Sequence, residues 1–144
     1  MADWRERYID AAKHFAGWSK DSTKVGAVIY NPYDHAIISV GYNGFPRGVN
    51  DNVPDRHCRP AKYKYTVHAE VNAICNAARH GINTMALGIA LDWFPCANCA
   101  GAIIQAGIVE MMCNKPDLED PRWGEDFRIA TTMLAEAGVR TVFE

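Results

Sequence analysis

Two β-branched runs, KVGAVIYN at 24–31 and HAIISVGYNG at 35–44, are separated only by Pro32, Tyr33 and Asp34. Proline and aspartate suit a tight turn, so the pair reads as a β-hairpin. The chain then changes rhythm. A helix is expected from about His68 to Arg79, closed by Gly81, and a strand from about Thr84 to Leu91. A further helix runs from about Cys96 to Ala106, with Gly107 as its stop signal, and a strand over 108–114. PRWGEDFRIATTMLAEAG at 121–138 holds a helix with Phe127, Ala130, Met133, Leu134 and Ala137 inward, and VRTVF at 139–143 a short strand. Ahead of the hairpin, Trp4, Tyr8, Ala11, Phe15 and Trp18 recur at spacings of four and three, an amphipathic helix with one face inward. A hairpin followed by strand–helix alternation predicts an α/β fold, a three-layer sandwich with a mixed central β-sheet flanked by helices.

Residues 1–144 fit one domain with a sizeable core, since no repeat, linker or low-complexity tract divides them. Residues 45–66 hold three of the seven prolines and read as a long loop, a length that usually serves function. No run approaches the ~18 apolar residues of a membrane span, and MADWRERYID lacks the apolar run of a secretory leader. A cytoplasmic location is therefore expected, where neighbouring cysteines usually mean metal or redox chemistry. The net charge of −2 argues against a protein that grips long nucleic acid.

The chemistry concentrates in two short stretches. In FPCANCA, Cys96 and Cys99 open a helix at i and i+3, so both sulfurs share one face. Free N–H groups and the helix dipole favour thiolates there. Zinc wants four ligands in a tetrahedron, and the best third donor is His68 of VHAEV, which also opens a helix. Parallel strands can bring two helix N-termini together at their carboxyl edge. Cys75 lies on the face of His68 but about 10 Å further along, too far for the same tetrahedron. His68 and Glu70 can both face one pocket only at a fraying first turn. Three protein ligands and an open position mark a catalytic Zn2+, with Glu70 as proton acceptor for its water. A redox C-x-x-C pair and a structural zinc completed by Cys58 are the competing readings, and His57 with Cys58 is a candidate second site. Cys113 suits a buried strand position.

H-A-E followed by P-C-A-N-C is the paired signature of zinc deaminases. With SKDSTKVGAVIYN, GYNGFPRGVND, KYTVHAEVNAI and FPCANCAGAIIQAGI in order over roughly 19–108, the chain resembles the cytidine/deoxycytidylate deaminase superfamily, closest to its dCMP deaminase branch. The resemblance implies hydrolysis at C4 of cytosine, dCMP going to dUMP and ammonia. Glu70 would carry the water's proton to N3 and then to the departing amine. It further implies sugar recognition by Asn43, a backbone contact from Ala69 to the pyrimidine edge, and a homo-oligomer, hexamer or dimer. Lys24, at the start of the first strand, is a candidate phosphate contact. The loop cations Arg47, Arg56, Arg59, Lys62 and Lys64 outnumber Asp51 and Asp55, which favours a phosphorylated small-molecule substrate. Asp92 and Trp93 stand where this branch is expected to carry a small hydroxyl or aliphatic residue. Trp93 and Phe94 are either core aromatics or walls for the base. Cytidine, a modified dCMP, guanine, tRNA adenosine and a non-catalytic zinc module are the alternatives.

Overall fold

The computed structural model describes residues 3–143. β1 (Gly26–Tyr30) and β2 (Ile37–Tyr42) form the expected hairpin, with Gly26 opposite Tyr42 and Val28 opposite Val40. On its other side β1 pairs, again antiparallel, with β3 (Gly88–Leu91). β4 (Glu110–Cys113) and β5 (Arg140–Phe143) add in parallel, giving the order β2-β1-β3-β4-β5. Because β1 runs against both neighbours, β2 and β3 point the same way. α3 (Ala69–Arg79) comes after β2, and α4 (Ala97–Gln105) follows β3. Both helices therefore begin at the same edge of the sheet.

Strand residues alternate between two cores, as the two-residue period of a pleated strand requires. Ala27, Ile29, Ile89, Leu91, Met111 and Cys113 face α3, α4 and α5 (Gly124–Glu136). Val28, Tyr30, Ala90 and Met112 face α1 (Trp4–Ala16). The three-layer sandwich with a mixed sheet is as expected, and Cys113 is fully buried in its strand.

Three expectations need correction. The buried face of α1 is Tyr8, Ile9, Ala12 and Ala16, whereas Trp4 and Trp18 are 39% and 57% exposed. The cause is close approach: a Cβ on Gly26 would come 1.9 Å from the Ala12 carbonyl oxygen. Only alanines, Ala12 and Ala16, fit where α1 crosses Gly26, while Tyr8 and Ile9 are buried further along the helix and Trp4 and Trp18 stay at its margins. In α5 the inward face is Gly124, Phe127, Ala130 and Leu134; Ala137 lies past the helix end and is exposed. The strand expected from Thr84 begins at Gly88, because Ala86 turns the chain with φ +64°. Within the loop over 45–66 there is a 3₁₀ turn (Pro54–His57) and the four-residue α2 (Lys62–Tyr65).

α3 is fastened onto β2, the open edge of the sheet. Ser39 Oγ donates to the Ala73 carbonyl at 2.8 Å, and Asn72 and Asn76 donate their amides to the Tyr42 and Val40 carbonyls, each at 2.8 Å. These bonds occupy acceptors that an edge strand would otherwise offer to another chain. Gly41 permits the contact, since a Cβ there would stand 2.4 Å from both Ala69 O and Ala73 N. Gly41→Ala must push α3 outward, an overpacking cost of about 1–3 kcal/mol. Thermal denaturation should show a lower melting temperature; an unchanged one would contradict this contact.

Candidate metal centre and pocket

His68 is the N-cap of α3 and has extended backbone, φ −71° and ψ 155°. That conformation lets His68 and Glu70 face the same pocket, which an uninterrupted helix would forbid. Cys96 is the N-cap of α4, after the helix-blocking Pro95, and its sulfur accepts from the Cys99 N–H at 3.5 Å. Across the gap, His68 Nδ1 lies 3.3 Å from Cys99 Sγ and 3.5 Å from Cys96 Sγ. Zinc–nitrogen and zinc–sulfur bonds of about 2.0 and 2.3 Å at a tetrahedral angle put N and S roughly 3.5 Å apart. The three donors thus fit one zinc ion, and all their ligand atoms lie within 4.8 Å of one another. Nδ1 is the nitrogen placed to ligate, which would leave the proton on Nε2.

The electrostatics suit that ion. The Cys99 thiol and then His68 hydrogen-bond to Cys96 and push its thiol down to about 4. Cys99 moves up, because it supplies the proton that stabilises Cys96 and because it is buried. With a divalent ion held by His68, Cys96 and Cys99, that proton would be lost and both sulfurs would be thiolates. Burial pushes the Glu70 carboxyl up, against its own backbone N–H and His68, so it is poised to hold a proton.

α5 supplies a support that sequence spacing does not reveal. Asp126 Oδ2 accepts from the Ala97 N–H at 2.6 Å, capping the helix that carries both cysteines. The pocket above the three donors also draws on this part of the chain: Phe94, Trp123 and Phe127 form its apolar wall, and Trp93 its half-exposed lip. Ala69 and Asn43 line it as expected. Asn43 has one carboxamide side committed to the scaffold, accepting from Val25 N–H at 2.9 Å and donating to Thr23 O at 2.7 Å.

Lys24 does not line the pocket; its ammonium is held by the Ser19 carbonyl. The cations that do are Arg59, Lys62 and Arg122. Lys62 pairs with Asp21 at 3.1 Å, both side chains nearly buried. Burial acts to raise the Asp21 carboxyl, but the Thr23 N–H and Lys62 outweigh it and hold it below its ordinary value. Arg59 and Arg122 lie over the Tyr63 ring, 5.8 and 5.1 Å from its centre, and neither has a carboxylate partner among the described residues. Asp92 is outside the pocket and accepts from the Gly26 N–H at 2.8 Å, tying β1 to the end of β3. His57 and Cys58 do not join a third donor; they bond to the Asp51 and Pro54 carbonyls at 2.6 and 3.6 Å. The one signal that could have found Arg122, Trp123 and Asp126 is topological. A segment that follows a parallel strand returns to the same sheet edge.

Residues 2–115 match the model of the cytidine and deoxycytidylate deaminase zinc-binding region. An uncharacterized deaminase of Aliivibrio fischeri is 41% identical over 146 residues, covering 99% of this chain and 95% of that protein. Mouse deoxycytidylate deaminase is 37% identical over 143 residues, covering 95% of this chain and 77% of that protein. Among solved structures, the dCMP deaminase of cyanophage S-TIM5 superposes with a TM-score of 0.76 at 25% identity, over 97% of this chain and 96% of that one.

Purified protein should carry one zinc per chain, and Cys96→Ala or Cys99→Ala should lose it. Asp126→Ala should keep zinc but bind it about tenfold more weakly, by analogy with other groups that support ligands from behind. Chelator competition measures both. Full zinc in either cysteine variant, or an unchanged affinity in Asp126→Ala, would contradict these roles.

Proposed function

We propose that this chain, which belongs to the cytidine and deoxycytidylate deaminase family, hydrolyses dCMP to dUMP and ammonia. The observation that carries the nucleotide reading is the charge of the pocket lining, where three cations, Arg59, Lys62 and Arg122, outnumber the carboxylates Asp21 and Glu70, the latter poised to hold a proton. The positive excess favours a phosphate dianion, and the N–H edges of two guanidinium groups suit its oxygens. The relatives named deoxycytidylate deaminase support the same substrate.

In this reading His68, Cys96 and Cys99 hold the zinc, and Glu70 is the acid–base group. Zinc bound there supplies an acidified water as nucleophile. Glu70 takes one proton of the attacking water and passes it to N3 of the cytosine, then takes the second from the new C4 hydroxyl and delivers it to the amine as that leaves C4. Water and dCMP thus yield dUMP and ammonia, with Glu70 restored. The first-turn backbone at Ala69 faces the pyrimidine edge. Phe94, Trp123 and Phe127 shield the ring from water, which strengthens each polar contact inside. Asn43 retains one donor and one acceptor site for the sugar. A homo-oligomer, dimer or hexamer, acting in the cytoplasm belongs to the same reading. No helix among the described residues is long and apolar enough to cross a membrane.

Ammonia release over dCMP, CMP, deoxycytidine, guanine and adenosine tests the substrate. The kcat/KM for dCMP should exceed that for deoxycytidine. Arg122→Ala should cut the dCMP value about ten- to a hundredfold, the worth of a charge-assisted phosphate contact of roughly 1.5–3 kcal/mol. Deoxycytidine should be nearly unaffected; equal losses on both would reject the phosphate contact. Glu70→Gln should keep the fold and the zinc while turnover falls at least a hundredfold. A metal-free Glu70→Gln protein would make Glu70 a ligand instead.

A further inference from the structure

We infer that Thr66 binds the 3′-hydroxyl of the nucleotide's deoxyribose and so reads the sugar, an inference that rests on the dCMP reading above. Thr66 lines the pocket, and its Oγ1 is shut off from solvent with no hydrogen-bond partner. No other buried side-chain nitrogen or oxygen among the described residues lacks one. Leaving a hydroxyl in that state is destabilising. Such a group in a native fold points to something that satisfies it; Thr66 lines both this pocket and the adjoining cavity that Asn43 also lines, and a ligand reaches Oγ1 once the side chain turns toward them.

Position selects the sugar. Val67 bridges to Gly44, donating at 2.8 Å and accepting at 3.1 Å, so the chain through Thr66, Val67 and His68 is extended. Alternate residues of an extended chain face the same side, which places Thr66 with His68 and turns Val67 away. Two residues of such a chain advance roughly 6.6 Å. In a cytosine nucleotide the reacting C4 and the sugar-bearing N1 are at opposite corners of the ring. With C4 at the metal ligands, the sugar falls a ring's width away, beside Thr66 and beside Asn43, the residue just before the bridging Gly44. Asn43 keeps one donor and one acceptor, and the Thr66 hydroxyl can both donate and accept. A 3′-hydroxyl between them can accept from one and donate to the other.

The test compares kcat/KM for dCMP and 2′,3′-dideoxy-CMP in the wild-type protein and in Thr66→Val, an isosteric change. The wild type should prefer dCMP, and Thr66→Val should lose about three- to tenfold of that preference, the worth of one neutral hydrogen bond. Its melting temperature should not fall, because a methyl replaces a hydroxyl that has no partner in the protein. An unchanged preference overturns the inference. So does an equal loss on both substrates with a lower melting temperature, which would make Thr66 structural. If the wild type turned over neither nucleotide, the dCMP reading would fall and this inference with it; turnover with an unchanged preference would remove the inference alone.

Discussion

β1 is hydrogen-bonded antiparallel to β2 on one side and to β3 on the other, and the site exists because of that arrangement. It forces β2 and β3 to run parallel without being neighbours. The helices after them then start at one edge, separated by the width of a single strand, about 10 Å between strand axes. A histidine at one helix start and two cysteines at the other can span the remaining distance with their side chains. Were β1 parallel to β3, α4 would begin at the opposite edge and no metal ligand set could form. The small residues at Gly26 and Gly41 serve the same end, since each lets a helix lie on the sheet at a distance no side chain would tolerate.

The electrostatic logic follows from the meeting of helix starts. Each contributes unpaired N–H groups and the positive end of its dipole, which favour anionic ligands. Two thiolates and a carboxylate would otherwise repel one another in a buried space. The zinc offsets the thiolates, and burial keeps Glu70 able to hold a proton. The same pocket has positive charge at its mouth and aromatic rings along its wall. One surface therefore offers positive charge, hydrogen-bonding groups and a flat apolar wall, which is what the proposed dCMP substrate would need.

The residues that meet at the metal centre were legible from the sequence because each announces itself locally. His68 and Glu70 sit at a helix start, and Cys96 and Cys99 sit one turn apart after Pro95. The hairpin and the strand–helix alternation were legible for the same reason, since they depend on short-range periodicity. What was not legible depends on tertiary packing. Trp4 and Trp18 carry the helical period of α1, yet the buried face turns to Tyr8, Ile9, Ala12 and Ala16, with alanines where α1 crosses Gly26. Lys24 has the right charge at a strand start, but the Ser19 carbonyl captures it. Asp92, out of pattern in sequence, turns out to hold the Gly26 backbone. Arg122 and Asp126 lie more than fifty residues from His68 and reach the site only through the return of the chain after β4. Thr66 looks like any loop threonine until its hydroxyl is found buried without a partner.

The central claim is that two helix starts assemble a single three-ligand zinc centre with one open position. X-ray absorption at the zinc edge of the purified protein reads that ligand set directly. The account predicts two sulfur neighbours at about 2.3 Å and two lighter atoms, imidazole nitrogen and water oxygen, at about 2.0–2.1 Å. Substrate or product should then perturb the oxygen contribution alone. A spectrum of three or four sulfur neighbours, or of none, would contradict it.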